Sequence, residues 1–528
     1  MNKKVIPYAI ALLLLIVVLV IRVTSDGTNN DTEDAGKDSV TQTTQNDKPT
    51  QNNDSTQDKE PVQGEQETES EDTSIIDSYL ADDSIVVVGK ETLPYTPEEI
   101  YTQLFNLENR VDIEIDISNE EMLNIQKDYE KYSHMGSKSP IYRPASIYIK
   151  IDNKKDKYTY YIPNVGFRMK GNTSRTNFYD EQQGQYNLVH YRVKFLEGDF
   201  ATLEGLELKW NRNDDSTYVR EIYAYDMYRD LGVLAPRVSL ATMEVADVQQ
   251  GVFFVYEPVD KNFIERYVDK KDQGGDLYKC AWTHNGASLT LDCSVGIEDE
   301  DKVQFFNYDL KTNKKTSKHE RMKNLLEVLN RDGVTRLEIE SVVDIPNFMM
   351  FAAISYFVGN PDDIRNNYNN HYIYFLKSTG RAVFIPYDMD RVFGVTAGYN
   401  PMNDGMTSVS PFSNRAEGAG EEQRNPLFRY TVAEEGYYKS EYVEALEQVA
   451  YSKWFKFTNF EKWYASARNN YADSTKPSKK FYNAEYLQFS FDINRSAGLD
   501  RWDANASFAD YVYAKMDAYQ RHVSEYVN

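Results

Sequence analysis

Acidic and amide side chains are concentrated in two turns of this sequence, which a predicted β-hairpin separates. Asp362 and Asp363 lie in the first turn, which ends at Asn370, and Asp388 and Asp390 lie in the second. Phosphoryl transfer needs a carboxylate that orients the attacking hydroxyl. It also needs an Asn and a second carboxylate that hold the metal bridging the nucleotide phosphates. A hairpin brings its two ends to one edge of a sheet, so the pattern predicts metal-assisted phosphoryl transfer.

The residues of these turns have other interpretations. Asn and Asp are ordinary turn formers, so the same residues are also typical of loops without chemistry. A calcium site is a third possibility, although the Asp-x-Asp-x-Asp-Gly loop of an EF-hand is absent. The His-Arg-Asp and Asp-Phe-Gly sequences of protein kinases are absent too, so the pattern alone indicates at most a remote relative of them.

Local signals predict the elements that position the two turns. Residues 348–358 are almost entirely apolar, with Pro346 before them and Gly359 after them, which predicts a buried helix. Residues 371–376 and 381–385 are predicted to be the two strands of the hairpin. The predicted order is therefore a buried helix, an acidic turn, a hairpin and a second acidic turn.

An earlier region carries residues suited to phosphate binding. The segment Gly166–Arg175 combines Gly, Asn, Thr and Ser with three cations, so its turn offers backbone N–H groups and positive charge. An ordinary hairpin turn is the alternative, because the P-loop pattern is absent. A strand at residues 190–195, a helix ending near Leu231 and a strand at residues 251–257 follow. Glu221 lies in the first turns of that helix, where a surface carboxylate would also stabilise the helix dipole.

The first part of the globular region is predicted to be rich in β-structure. Strands are predicted at residues 85–88, 111–117, 145–151 and 158–162. Ser118 with Glu121 three residues later is a capping signature, so a helix is expected from Asn119 to about residue 132.

Five segments in a fixed order resemble the spore-coat protein H (CotH) kinase family, over about residues 110 to 435. They are residues 168–174 with 191–195, 220–221 with 231–233, 251–257, 359–362, and 370–374 with 385–394. Each segment alone is weakly specific, but five in sequence are specific. The resemblance implies an atypical protein-kinase-like fold that binds ATP and a divalent metal, Mg²⁺ or Mn²⁺, and phosphorylates Ser on protein substrates.

The resemblance also implies roles for the acidic turns. Asp362 would be the catalytic base, but the loop to Asn370 is longer than that of the family, which leaves Asp363 as an alternative base. Asp388 would be the principal metal ligand, with Asn370 as a second ligand and Asp390 as a further metal-binding residue.

A nucleotide site is implied in the same way. Lys194 would hold the α and β phosphates, Glu221 would pair with it, and Glu257 would lead into the hinge on the adenine side. The residues that would close over the phosphates are Arg168, Gly171, Asn172 and Ser174. From the residues alone, Lys194 is equally well explained as a solvated charge on a strand edge. Tyr387 stands where the family more often has Trp, a change that we expect to leave the metal site unaffected.

Composition and the first residues limit the partners and the location. Lys and Arg number 59 against 83 Asp and Glu, so the formal charge is −24, which argues against binding to nucleic acid. The apolar run Val5–Ile21 follows Lys3 and Lys4, which predicts a membrane segment with a cytoplasmic N-terminus. An uncleaved single-pass anchor is favoured over a cleaved signal, so the globular region is expected on the extracytoplasmic side of the cell membrane.

The predicted organisation has five parts. They are a membrane anchor or signal segment at residues 1–23, a disordered acidic stalk at 24–83, a β-rich region at 84–165, a CotH kinase-like domain at 166–435 and a helical extension at 436–528. The fold class is α+β, with a β-rich N-lobe and a mixed or helical C-lobe.

The whole sequence predicts an enzyme of a Gram-positive-type cell surface. It would transfer the γ-phosphoryl group of ATP to Ser or Thr of surface or spore-coat proteins. The competing hypothesis is a non-catalytic surface protein that uses the same cleft for binding or adhesion. A polysaccharide-modifying enzyme has little support, since the separation of paired carboxylates is not visible in a sequence. Cys280 and Cys293 are either disulfide-bonded or two free thiols.

Overall fold

A β-sheet that closes on itself forms the first part of the described chain. The structure, a computed structural model, describes residues 85–171, 174–180, 182, 184–281, 283, 286–395, 406–413, 425–433, 436–481, 489–495 and 506–527. The predicted anchor, the predicted stalk and Asn172 lie outside the described residues. The strands of this part are β1 (Ile85–Val87), β2 (Arg110–Asp116), β3 (Arg143–Asp152), β4 (Lys157–Lys170), β5 (Tyr179–Asp180), β6 (Gln185–Tyr186), β7 (His190–Phe195), β8 (Gly205–Trp210), β9 (Val238–Val245) and β10 (Val248–Tyr256).

The order of the large sheet is β1-β4-β3-β2-β9-β10-β8-β7, and β7 also pairs with β4, which closes the sheet. The short strands β5 and β6 form a separate hairpin, and Tyr186 of β6 also makes an isolated bridge to Phe481. The helices of this part are α1 (Pro97–Leu104), α2 (Asn119–His134) and α3 (Arg220–Asp230). Ser118 caps α2 by accepting a hydrogen bond from the backbone N–H of Glu121 at 3.2 Å, which confirms the predicted helix start.

Alternation along the strands sorts apolar side chains from charged ones. In β8, Leu206 and Leu208 are fully buried in the core inside the closed sheet. Successive side chains of a strand point to opposite faces, so Glu207 and Lys209 lie on the outer face of β8. In the same way Arg192 of β7 lies opposite Glu207 on the outer face. A charged face therefore forms on the outside of the sheet.

The second part of the chain combines a smaller sheet with helices. Its strands are β11 (Leu277–Cys280), β12 (Val295–Gly296), β13 (Tyr308–Leu310), β14 (His371–Phe375) and β15 (Ala382–Pro386), in the order β12-β13-β11-β14-β15. Its helices are α4 (Lys261–Tyr267), α5 (Glu320–Leu329), α6 (Arg336–Val342), α7 (Ile345–Val358), α8 (Pro426–Thr431), α9 (Lys439–Ala450), α10 (Phe457–Tyr471) and α11 (Phe508–Val527). Strands β14 and β15 are the predicted hairpin, which is confirmed.

Helix α7 is the buried element that precedes the first acidic turn. Asp344 caps it by accepting from the backbone N–H of Asn347 at 3.1 Å, and Pro346 lies in its first turn. It ends at Gly359, which has a left-handed φ of 61°. The predicted buried helix with a Gly stop is confirmed, and its C-terminal end delivers the chain directly into Asn360 and the acidic turn.

The protein is a mixed α+β structure, as the sequence predicts. The described residues all belong to one compact unit. The predicted boundary between residues 165 and 166 falls inside β4, because the β-rich region and the next segment contribute strands to the same sheet. Within the described ranges, no helix combines the length and the apolar character needed to span a membrane. Cys280 and Cys293 are both free thiols.

Gly359 offers a test of how α7 positions the acidic turn. A Cβ at this position would overlap the hydroxyl of Tyr511, which donates to the carbonyl oxygen of Phe357 at 3.0 Å. We expect Gly359→Ala to lower the free energy of unfolding by about 2 to 5 kcal/mol, from left-handed strain and overpacking together. Gly232→Ala is the matched control, since Gly232 is also left-handed but has no atom within 4 Å of an added Cβ. Denaturant unfolding that gives equal losses for both variants would contradict the packing argument.

Candidate active site

The two acidic turns meet in space. The Asn360 side-chain amide donates to the carbonyl oxygen of Asp388 at 3.3 Å, and the backbone N–H of Tyr387 donates to the carbonyl oxygen of Asn370 at 3.0 Å. The negative charge of Asp388 contributes to raising the pKa of Asp362, so the two carboxylates lie within electrostatic reach of each other. The hairpin of β14 and β15 thus joins two turns that close on each other at one end.

Asp362 and Asp363 have different surroundings. Asp362 is half-buried, and its carboxylate accepts from the side-chain amide of Asn367 at 2.5 Å. Burial raises the pKa of Asp362, while hydrogen bonds from Asn367 and Asn370 oppose that rise. A half-buried carboxylate with a raised pKa is the arrangement that a general base needs.

Asp363 is a structural residue of the turn. It is only 4% exposed, and one of its oxygens accepts from the hydroxyl of Ser355. The other oxygen accepts from the backbone N–H groups of Arg365 and Asn366 at 2.9 and 3.1 Å. Both oxygens of Asp363 are therefore engaged within the chain, whereas Asp362 is half-buried.

The second acidic turn is held by several side chains from other elements. Glu221 of α3 accepts from the backbone N–H of Met389 at 3.0 Å, and the Asn213 amide donates to the carbonyl oxygen of Asp390 at 3.1 Å. Asp388 has a left-handed φ of 56°, a conformation that a non-glycine residue adopts only when its surroundings enforce it. Glu221 is 3% exposed and so is not the surface residue that its place in the helix also allowed. Burial raises its pKa, with Asp390 and Asp388 adding to the rise and Lys209 opposing it.

Lys209 of β8 is the cation of this site. Its Nζ lies 2.5 Å from Oδ1 of Asp388, and the side chain of Lys209 is only 6% exposed while that of Asp388 is 36% exposed. Burial would lower the pKa of Lys209, but Asp388, Glu221 and Asp390 outweigh burial and raise it above its usual value. Lys209 and Lys170 likewise overcome burial at Asp388 and lower the pKa of that carboxyl. Both groups are therefore charged at neutral pH.

Lys194, the lysine expected in this position, does not reach the cluster. It lies on β7 in register with Gly205, which is four residues before Lys209 on the neighbouring strand β8, and it is exposed. Residue pattern alone does not distinguish the two lysines, since both lie on the outer faces of the neighbouring strands β7 and β8. The order of elements along the chain could have indicated Lys209, because its strand directly precedes the helix that carries Glu221.

The residues expected to close over phosphates lie at the end of β4. Arg168 donates to the carbonyl oxygen of Ser139, and its Nη1 lies 3.6 Å from Oε2 of Glu300, so its guanidinium is engaged within the chain. Gly171 has a φ of 120°, and a Cβ there would overlap the Ser174 hydroxyl, so the tight turn requires glycine. Asn172 lies outside the described residues.

The side chain of Glu257 connects neighbouring elements of the fold. Its carboxylate is 2% exposed, pairs with Arg266 and accepts from the Tyr101 hydroxyl at 2.9 Å and the Arg237 backbone N–H at 2.9 Å. The structure thus occupies this side chain fully and does not present it as a ligand-binding group. Its position directly after β10 still marks the connection between the closed sheet and the second part.

A further charged network was missed in the sequence. Lys170 lies 2.7 Å from Oε2 of Glu207 and donates to the hydroxyl of Tyr387 at 2.8 Å, and that hydroxyl donates to Glu207 at 2.9 Å. Tyr387 therefore connects the closed sheet to the residue before Asp388. A Trp at this position would lack that hydroxyl, so the change from the family pattern has a structural consequence.

The oxygen donors of the site fit a hard divalent cation. Asp388, Asn370 and Asp390 offer carboxylate and amide oxygens, the donor type that Mg²⁺ and Mn²⁺ prefer. In the described part of the chain, the acidic residues of this site do not bring three ligand atoms within 4.8 Å of one another. Mg²⁺ is commonly held by one or two carboxylates together with phosphate oxygens, so a complete protein cage is not required.

Comparison with known proteins identifies the family of the chain. The profile of the family described as CotH kinase protein matches residues 167–483. A 220-residue segment is 23% identical to the inner spore coat protein H of Bacillus subtilis (strain 168). That alignment covers 41% of this chain and 56% of the relative, so the chain spans less than two thirds of the relative's length. The resemblance found in the sequence is confirmed, and the chain belongs to the CotH kinase protein family.

Proposed function

We propose that this protein is an atypical, metal-dependent kinase that transfers the γ-phosphoryl group of ATP to Ser or Thr hydroxyls of proteins. The observation that carries the proposal is the meeting of Lys209, Glu221 and Asp388 from three separate elements beside the Asp362 turn. Protein kinases use a strand Lys, a helix Glu, a catalytic-loop Asp and a metal-binding Asp in the same chain order. This shared order supports a protein-kinase-like fold.

In this proposal each side chain of the site has a stated task. Asp362 accepts the proton of the acceptor hydroxyl, because it is half-buried and its pKa is raised. Asp388 and Asn370 hold the metal, with Asp390 as a further ligand. The bound metal supplies charge neutralisation on the transferred phosphoryl group. Glu221 and Asn213 act as positioning residues, since they fix the backbone that carries Asp388 and Asp390.

Lys209 orients the phosphates in this proposal. In the described structure its ammonium is paired with Asp388 and packs 4.2 Å from the ring centroid of Tyr256. A buried cation with a raised pKa keeps its charge at neutral pH, which a phosphate-binding lysine requires. Arg168 and the Gly171 turn border the same end of β4, and we propose that they cover the phosphates.

The acceptor proteins and the location are also proposed. The relative from Bacillus subtilis is named as an inner spore coat protein, which supports surface or spore-coat proteins as acceptors. The apolar run Val5–Ile21 supports an anchored enzyme that acts outside the cytoplasm, where ATP must come from the surrounding compartment.

The choice between two lysines tests the proposal. We expect Lys209→Met to reduce transfer from labelled ATP, in Mg²⁺ or Mn²⁺, by about a hundredfold or more, because an oriented charge next to the phosphates is lost. Lys194→Met should transfer within about twofold of the unaltered protein, since an exposed charge remote from the reaction contributes little. The measurement is phosphate incorporation into a Ser-rich acceptor protein by the full chain.

Two outcomes of that experiment would reject the proposal. Equal activity of the Lys209→Met variant and the unaltered protein would exclude Lys209 from the site. No incorporation by the unaltered protein with either metal, together with no thermal stabilisation by ATP at millimolar concentration, would favour the non-catalytic binding protein.

Changing Asp362 or Asp363 to Asn is predicted to affect different properties of the protein, catalysis in the first case and stability in the second. Asp362→Asn should lower kcat by about a hundredfold or more with little change in melting temperature, because a catalytic base is lost. Asp363→Asn should lower the melting temperature, because the buried carboxylate accepts bonds from Ser355 and two backbone N–H groups. Single-turnover kinetics and thermal unfolding of both variants provide the check. A stable but inactive Asp363→Asn variant beside an active Asp362→Asn variant would reverse the assignment.

A further inference from the structure

Three cations surround one carboxylate beside the Lys209–Asp388 pair. Lys170 lies 2.7 Å from Oε2 of Glu207, and Nη1 of Arg192 lies 3.5 Å from Oε1 of the same residue. Lys279 of β11 is the third cation, and it acts electrostatically on Glu207. Lys170, Arg192 and Lys279 hold the pKa of Glu207 below its ordinary range against the effect of burial, so the carboxylate stays charged.

Lys279 is the unusual member of this group. In register beside it lie Asp309 of β13 and Tyr372 of β14. Asp309 is already engaged, since it pairs with Lys311 and accepts from the Glu298 backbone N–H at 2.9 Å. The structure shows no ion pair for Lys279 among the residues it describes, and its Nζ lies 4.4 Å from the ring centroid of Tyr387.

Among the described residues, Glu207 is therefore the only carboxylate that forms an ion pair with any of these three cations. Burial and the nearby charge of Lys170 lower the pKa of Lys279 to about 7. Lys138 and Lys311 add positive charge from the neighbouring elements, and each lies near Glu298, at 3.8 and 3.7 Å. A half-buried charge without an ion-pair partner, such as that of Lys279, is unfavourable, so a group of this kind is stabilised by an anion.

We propose that Lys170, Arg192 and Lys279 form a second anion-binding site beside the Lys209–Asp388 pair, which binds a phosphoryl group. Arg and Lys are the side chains that bind phosphate oxygens most strongly, and Glu207 orients two of them. One source of this phosphoryl group is the polyphosphate chain of a nucleotide, and for that source the inference rests on the proposed function. Free inorganic pyrophosphate is the other source of the same chemistry.

Pyrophosphate without metal is the probe, because it tests the anion site without the metal ligands. We expect Lys279→Met to weaken pyrophosphate binding by about tenfold or more in calorimetry of the full chain. Lys279→Arg should retain binding within about threefold, because the charge and the donors remain. Lys155→Met is the matched control, since Lys155 lies in the turn between β3 and β4 and its side chain is 85% exposed. Its affinity should equal that of the unaltered protein.

Thermal unfolding of the same proteins provides an independent readout. Without ligand, Lys279→Met should melt at the same temperature as the unaltered protein or higher, because a half-buried charge without an ion-pair partner is removed. With pyrophosphate, the unaltered protein should gain stability and this variant should gain little. Absence of pyrophosphate binding by the unaltered protein, or equal affinity in the Lys279→Met variant, would overturn the proposal.

Asp388→Asn separates this site from the proposed function. This variant should lose phosphate transfer but keep pyrophosphate binding through Lys279. Pyrophosphate binding that depends on Lys279, in a protein that never transfers phosphate, would support the anion site and reject the kinase proposal. Transfer by the unaltered protein with no effect of Lys279→Met on pyrophosphate affinity or on KM for ATP would reject the anion site alone. The nucleotide source is indicated if KM for ATP rises in step with the loss of pyrophosphate affinity. A KM that stays unchanged while pyrophosphate affinity falls indicates free pyrophosphate.

Discussion

The ion pair between Lys209 and Asp388 is the interaction on which the candidate site depends. It joins a strand of the closed sheet to the turn after the hairpin, so it fixes one part of the structure against the other. Lys209 is almost completely buried and needs a negative partner, and removing one member of a buried pair costs about 3 to 5 kcal/mol. The pair therefore holds the Asp388 carboxylate beside the Lys209 ammonium, where the closed sheet meets the second acidic turn.

Holding Asp388 there requires a strained backbone. Asp388 and Asn370 both have left-handed φ angles, 56° and 53°, which non-glycine residues adopt at the expense of stability. Hydrogen bonds from Asn360 and to Glu221 hold both polar groups of the peptide unit that joins Asp388 to Met389. The Glu221 carboxylate accepts a hydrogen bond from the Met389 backbone N–H and also acts electrostatically on Lys209. The position of α3 is therefore linked to the geometry of the second acidic turn.

How far the site could be predicted depends on whether its signals are local. Helix α7, its Pro346 start and its Gly359 stop are written in neighbouring residues, and so is the hairpin that follows. The residue types of the two turns also indicated Asp362 and Asp388 directly. Local signals could not distinguish Lys209 from Lys194, because both are lysines on the outer faces of neighbouring strands. Only the tertiary contact with Asp388 decides which of them is buried. Glu221 is a similar case, since a Glu near a helix start is usually exposed.

The same limit applies to the charges around Tyr387, and it bears on how an acidic protein binds an anion. The chain carries a formal charge of −24, yet Lys170, Lys209, Lys279 and Arg192 collect around Tyr387 and Glu207 from four strands. Ions screen exposed charges over about 8 Å at physiological ionic strength, whereas buried charges are screened much less. The electrostatic field around Tyr387 is therefore set by these cations and their few carboxylate partners rather than by the acidic surface. Composition argued against nucleic acid as a partner, but it could not reveal this cluster of cations, because the cluster exists only once the strands have been brought together.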